Sequence, residues 1–313
     1  MKPKQTPDVF RFIINPKAGR RNRANLAGEI EAVFASAPER ADCQIILTEQ
    51  PNHATQLAAG FASQFGERVL VFACGGDGTA REVAAGIAGT PATMSILPIG
   101  TANDFAKTMF STTQLSRLMQ LLPDPTIRCI DTIAIDDEIC LNITSLGFDT
   151  KVQLKAVQLN QRVRILGNLA YPVAILLSLF GNRTYGIDYD VQAIRADGTT
   201  EPLRGSAEII LSAICNGRYY GGGFNPAPQA EVDDGRLAFC LVDSLPLRRI
   251  IPLLPKYKSG QHLGDPAIHM TDIVSGTIRS TNGLLLGNID GEPFEREQIT
   301  FRVMPRSLNF ACY

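Results

Sequence analysis

The sequence carries no surplus of either charge. Thirty Lys and Arg stand against 31 Asp and Glu, a formal net charge of −1. That excludes a polyanion-binding profile, and nucleic acid is not expected as a partner. There is no C-x-x-C. The seven cysteines (43, 74, 129, 140, 215, 240 and 312) are odd in number, widely scattered, and several lie inside apolar runs. Buried free thiols in a reducing compartment follow, not a disulfide framework. Histidine is scarce: His53, His262 and His269 show no zinc-ligand spacing with these cysteines. No apolar run is long. The longest, "LAYPVAILLSLF" (169–180), holds a proline and falls short of the roughly 18–20 residues of a spanning helix. The opening "MKPKQTPDVF" has no apolar stretch of a secretory signal. Repeats and low-complexity segments are also missing. The expectation is a cytoplasmic protein that touches a membrane at its surface only.

What is present is ample core. The 313 residues are 45% apolar, enough for about two domains. Over 1–122, short β-branched runs alternate with helical patterns. "VFRFIIN" (9–15), "CQIILT" (43–48), "RVLVFAC" (68–74) and "SILPI" (95–99) read as strands. Helices are expected at 24–37, 54–65, 80–88 and 114–122. Leu26, Ile30, Val33 and Phe34 share a face of the first, and Leu57, Phe61 and Phe65 a face of the second. Buried strands crossing to helices imply a parallel sheet covered on both faces. At "LLPDPTIR" (121–128) the pattern changes. Beyond it most strong segments alternate with period two, as in "YGIDYDVQA" (185–193), where a "DG" turn follows at 197–198. Further strands are expected at 207–215, 236–242, 273–280 and 299–304, with helical stretches within 151–180 and 245–260. The fold class is an α/β nucleotide-binding domain followed by an antiparallel β-sandwich domain.

The third strand runs into "CGGDGT" (74–79), which opens a helix at about Thr79. In an open α/β sheet ligands sit beyond the carboxyl ends of the strands. A helix amino terminus offers unpaired N–H groups and partial positive charge, and glycine lets phosphate oxygens approach. Asp77 would repel a bare phosphate at this distance, so it makes sense with Mg²⁺ or a network of basic groups between them. A dinucleotide fingerprint is excluded because Arg81 stands where its third glycine belongs, and no Walker P-loop exists in the chain. A plain tight turn and a phosphate-binding loop of another type remain. The other strands also end in polar loops: "NPKAG" (15–19), "LTEQPNHA" (47–54) and "PIGTANDFAK" (98–107). One such loop is weak evidence, whereas four on one rim describe a site.

With these motifs, and with "SLGFD" (145–149), "NGRYYGGGFNPAPQAEVDDGRL" (216–237) and "IDGEPF" (289–294), the chain resembles the diacylglycerol kinase catalytic family, in its bacterial lipid-kinase branch. The resemblance runs from 15 to 294. It implies two domains, 1–130 with about 291–313 for ATP and 131–290 for the lipid, with the active site in the interdomain cleft. It implies nucleotide contacts from Asn15, Thr48, Gly75, Gly76, Asp77, Gly78, Thr79 and Thr101, with Asn103 and Asp104 shaping the last loop. Arg20, Asp77 and Asp131 match a basic–acidic network, although some relatives carry lysine where Arg20 stands. Glu292 matches the catalytic base, and Asp234, with main-chain oxygens of Glu231 and Arg236, matches a structural Mg²⁺ site. Glu292 has an independent argument: a lipid hydroxyl attacks phosphorus more readily if a carboxylate takes its proton. "DGE" and "DDG" are each good ordinary turns as well.

The implied reaction is ATP- and Mg²⁺-dependent phosphorylation of diacylglycerol or a related lipid alcohol. An NAD kinase-like enzyme and a non-catalytic lipid-binding protein are the alternatives. "LPLRRIIPLLPKYKSG" (245–260) could lie on anionic headgroups and "RVRILGNLAYPVAILLSLF" (162–180) against acyl chains. Both could equally be core helices with solvated basic faces. A homodimer is compatible with the sequence, which names neither the lipid nor the oligomeric state.

Overall fold

The computed structural model describes residues 7–19, 23–35, 42–122, 125–162 and 169–313. By internal contacts they form two compact units. The first holds residues up to Thr132, Val232–Asp234 and Met304–Tyr313; the second holds Ile133–Glu231 and Gly235–Val303. The chain thus re-enters the first unit at Met304, later than the expected 291, and lends it three residues from the acidic turn as well.

In the first unit, β1 (Val9–Ile14), β2 (Asp42–Leu47), β3 (Val69–Gly75) and β4 (Thr93–Pro98) are all parallel, in the order β2–β1–β3–β4. Every residue of β1, β3 and β4 is buried, as expected of strands covered on both faces. The helices are α1 (Arg23–Ala35), α2 (His53–Phe65), α3 (Asp77–Ile87), α4 (Asp104–Met109) and α5 (Leu115–Leu121). Phe12 and Phe72 stack at 4.3 Å between neighbouring strands, and Leu26, Ile30, Phe34, Leu115 and Met119 close over them. Helix α3 starts at Asp77, two residues before the expected Thr79. The three residues from Asp77 to Thr79 are therefore its first turn.

Strand β5 (Thr126–Ile135) leads from the first unit to the second. There follow β6 (Glu138–Cys140), β7 (Ile143–Gly147), α6 (Phe148–Arg162), α7 (Ala170–Ser178), β8 (Tyr185–Ile194), β9 (Thr200–Cys215), β10 (Leu237–Asp243), α8 (Leu247–Ser259), β11 (Ile268–Ser280), β12 (Leu285–Ile289), β13 (Glu292–Arg296) and β14 (Gln298–Cys312). Among the described residues no helix is long and apolar enough to cross a membrane.

The second unit is an antiparallel β sandwich. Its two long strands change partner midway. β9 pairs with β8 along its first half and with β7 and β10 along its second; β11 pairs first with β10 and then with β8 and β14. The pairings β8–β9–β10–β11–β8 close on themselves around Ile187, Val191, Ile209, Phe239, Ile273, Ile278 and Phe301. A second core lies on the opposite face of β7, β9 and β10, where α6, α7 and α8 cover Ile143, Ile210, Ala213, Cys215, Cys240 and Val242. This explains the burial along β9: residues 200–208 stay partly exposed, and 209–215 are buried throughout. In the first unit, β14 adds a fifth parallel strand beside β4, with Asn309 opposite Thr93 and Phe310 opposite Met94.

Candidate active site

The first candidate region is the carboxyl edge of the parallel sheet. Its loops are joined strand by strand through the main chain. Thr48 N–H donates to Ile14 O (2.9 Å), Asn15 N–H to Cys74 O (3.0 Å), and both Ile99 and Gly100 N–H to Gly75 O (3.0 Å each). Side chains tie them further. Asn15 Nδ2 donates to Thr79 Oγ1 at 3.1 Å, while Asn15 Oδ1 accepts the Lys17 N–H at 2.9 Å. Both ends of the Asn15 amide therefore brace the loops. Asp77 Oδ1 accepts the Phe105 N–H at 3.1 Å, which ties the first turn of α4 to the first turn of α3.

Two glycines are dictated by proximity. A Cβ on Gly100 would stand 2.4 Å from Gly76 Cα, and one on Gly75 would stand 2.2 Å from Thr79 Oγ1. The third and fourth loop motifs thus meet main chain to main chain. Gly76 precedes α3 in an extended conformation. The following turn, as the amino terminus of a helix, carries the positive end of the helix dipole. Gly78 is exposed on that turn, Gly76 and Asp77 are half-buried, and the Thr79 side chain is buried.

The remaining expected residues divide. Thr101 is exposed on the rim and Thr48 half-buried. Asn103 adopts a left-handed backbone (φ 52°) and its Nδ2 donates to Pro98 O (3.2 Å) and Gly100 O (3.0 Å). Its Oδ1 is buried and meets no hydrogen-bond partner among the described residues. Asp104 is buried, its carboxylate on Lys107 Nζ at 2.7 Å, so it holds α4 together. Arg20 lies outside the described residues. Asp131 is fully buried and accepts the Arg306 N–H at 2.7 Å.

The second region lies in the second unit. Asp290 (φ 49°) and Gly291 (φ 88°) make the two-residue turn between β12 and β13, the left-handed pair that a tight hairpin requires. Glu292 follows it, exposed, opposite Ile289. "DGE" is thus a hairpin turn that also presents a carboxylate. The turn is pinned by residues the sequence reading did not single out. The Asp290 carboxylate accepts the N–H groups of Leu141 (2.6 Å), Asn142 (2.9 Å) and Ile143 (3.1 Å). Burial holds this carboxyl above its ordinary value, and those three N–H groups offset only part of the rise. Asn288 Nδ2 donates to Ser145 Oγ (2.6 Å) and Thr150 Oγ1 (2.9 Å), its Oδ1 accepts the Gly291 N–H (3.1 Å), and Gln153 Nε2 donates to Gly291 O. The only advance signal was that "SLGFD" and "IDGEPF" each carry polar residues inside apolar surroundings.

Nearby, Asp149 is buried; its Oδ1 accepts the Thr150 N–H at 2.8 Å, and its Oδ2 meets no hydrogen-bond partner among the described residues. Burial drives this carboxyl up to about 6, against weaker opposing help from Ser145, the Thr150 amide and Tyr220. In the acidic turn, Glu231 pairs with Arg218 (2.9 Å), Asp233 with Arg128 (2.7 Å) and Arg236 with Asp272 (3.3 Å). No group of three or more His, Cys, Asp or Glu is gathered for a metal among the described residues. Any metal at Asp234 would therefore depend on main-chain oxygens.

Residues 9–135 match the diacylglycerol kinase catalytic domain, and residues 142–312 match the YegS C-terminal NAD kinase beta sandwich-like domain. A Pseudomonas aeruginosa (strain UCBPP-PA14) protein described as "probable lipid kinase YegS-like" is 32% identical over 255 residues, 80% of this chain and 77% of the relative. The chain belongs to the YegS-like family of bacterial lipid kinases. A second family relative with the same description, from Pseudomonas savastanoi pv. phaseolicola, is 29% identical over 89% of this chain and 86% of its own. The fold is that of solved structures too. One described as a diacylglycerol kinase, from Bacillus anthracis str. Sterne, has a TM-score of 0.67 at 20% identity, covering 98% of this chain and 97% of that one. Another from the same organism reaches 0.75 at 23% identity with the same coverage. The family match thus spans both candidate regions, the glycine-bearing rim in its first domain and the Glu292 hairpin in its second.

Proposed function

We propose that the protein transfers the γ-phosphoryl group of ATP, with Mg²⁺, to the hydroxyl of diacylglycerol or a related lipid alcohol, at the cytoplasmic face of a membrane. The observation that carries this reading is the rim itself. Gly76, in main-chain contact with Gly100, precedes the first turn of α3, which carries the positive end of the helix dipole. Such a turn suits phosphate oxygens. Thr101, exposed beside it, offers a further hydroxyl donor, and Thr48 lies on the same edge. Asn15 and Asp77 act from behind by fixing the loops to one another.

The oxygen-rich rim fits a hard cation. Asp77 and the unmatched Asn103 Oδ1 are the groups suited to hold Mg²⁺ or its water shell. Bound there, Mg²⁺ would neutralise charge on the phosphates. Glu292 is assigned the role of base. An exposed carboxylate at the start of a pinned strand can accept the lipid hydroxyl proton as the oxygen attacks phosphorus. Apart from that proton, the work is positioning and charge stabilisation.

Incubation with labelled ATP, Mg²⁺ and a total lipid extract should place label on a lipid. Glu292→Gln should reduce kcat about 10²–10⁴-fold while ATP affinity, read by calorimetry, stays within twofold. Undiminished turnover in that variant would remove Glu292 from the role. A second reading is supported by the β-sandwich match, whose description names NAD kinase. Label transferred to NAD and to no lipid would favour it.

A further inference from the structure

Helix α7 is apolar on every side, yet only one side is packed. Ala170, Ala174 and Ser178, spaced four apart, are its buried face. The opposite side is open: Leu169 is 63% exposed, Leu176 58%, Leu177 48% and, just past the helix, Phe180 74%. No charged residue occurs from 169 to 181. A helix apolar all round is ordinarily either buried or in lipid. The end that bears Phe180 is not a loose tail. Lys151 Nζ donates to Asn182 O at 2.6 Å, and the Arg183 guanidinium donates to Leu179 O.

Helix α8 packs into the same core beneath the sheet, through Ile250, Leu253 and Tyr257. The aromatic series Tyr171–Phe224–Tyr257, 6.5 Å at each step, links it to α7. Its outer face holds Ile251, 61% exposed, and four cations, with no acidic residue from 244 to 264. Arg249 is held by Asp265 (3.0 Å), and Lys258 lies over the Phe224 ring (5.6 Å). Arg248 and Lys256 are exposed, and their side chains have no ion-pair partner among the described residues.

We infer that the outer faces of α7 and α8 form one docking surface for an anionic lipid bilayer. Leu176, Leu177 and Phe180 enter the acyl boundary, and Arg248 and Lys256 meet the headgroups. Charge decides the occupant: the exposed apolar side chains of α7 and the cations of α8, carried on one core, complement anionic lipid, whereas a second copy of this surface would oppose cation to cation. The inference rests on the lipid-kinase reading only for its purpose, because the binding itself needs no ATP.

The test is co-sedimentation of the full chain with vesicles of phosphatidylcholine alone, or of equal parts phosphatidylcholine and phosphatidylglycerol. Wild type should partition onto the anionic vesicles and release with salt. The Leu176→Ser/Leu177→Ser/Phe180→Ser variant should lose at least about tenfold in partition. Arg248→Gln/Lys256→Gln should lose several-fold on anionic vesicles and nothing on neutral ones. Both variants should keep the wild-type circular dichroism spectrum and full activity on a dispersed short-chain diacylglycerol. Wild-type partition by the triple variant would overturn the surface. So would a wild-type dimer, seen by light scattering, that the triple variant converts to monomer. Missing turnover on dispersed lipid, with vesicle binding as expected, would count against the kinase reading alone.

Discussion

Gly100 sits where no side chain fits, because its neighbour is the main chain of Gly76 and neither backbone can turn aside. Gly100→Ala should cost about 1–3 kcal/mol by overpacking and should weaken ATP binding at least tenfold, since it separates the two loops that shape the rim. Thermal melting and calorimetry would read both effects. Unchanged ATP affinity would mean that this contact does not form the nucleotide site. Asp149 gives a pH signature. Its carboxyl is raised by burial to about 6 from an ordinary 3.8. The folded chain therefore holds this proton more tightly than the unfolded chain does. Its contribution is complete below pH 3.8 and fades as pH rises to about 6. At about 1.4 kcal/mol per pH unit, the loss is up to about 3 kcal/mol. In urea titrations across this window, Asp149→Asn should flatten the decline, and an unaltered slope would refute the assignment.

At the scale of elements, the hairpin β12–β13 depends on Asn288, whose amide serves Ser145, Thr150 and Gly291 together. Asn288→Ala should destabilise by about 1–3 kcal/mol and lower kcat more than the KM for ATP, because Glu292 loses its fixed setting. Equal loss in both constants would point to general damage instead. This element also shows what could be read in advance. β1, β3 and β4 were legible because continuous apolar runs ending in glycine-bearing loops have few other solutions. β7 and β12 were not. Asn142, Thr144, Ser145 and Asn288 are polar and buried, and their partners lie about 140 positions away along the chain. No local period reports such pairing. Of the candidate site, the glycine loops and the turn before Glu292 were visible in the sequence as motifs. Asn15 and Asp104 carry suitable chemistry for a ligand, yet their side chains are occupied by neighbours within the loops, and only coordinates reveal that.

Across the whole molecule, the seven free thiols divide by depth. Cys74, Cys140, Cys215 and Cys240 are buried, and Cys43, Cys129 and Cys312 are partly covered. Burial pushes Cys74 and Cys215 far upward and Cys240 to about 12. A maleimide should therefore modify at most three cysteines in the native protein and all seven in denaturant; rapid native labelling of a fourth would contradict the packing. The first unit also has an unusual thread. Its fifth strand comes from the stretch beginning at Met304, with Phe310 fully enclosed between Phe105 and Phe110. On the ribosome, at about 5–20 residues per second, the nascent first unit must wait for the entire β sandwich to be translated before its sheet can be completed. Until then the flank of β4 lacks its last partner strand, and an open strand edge invites pairing with neighbouring chains.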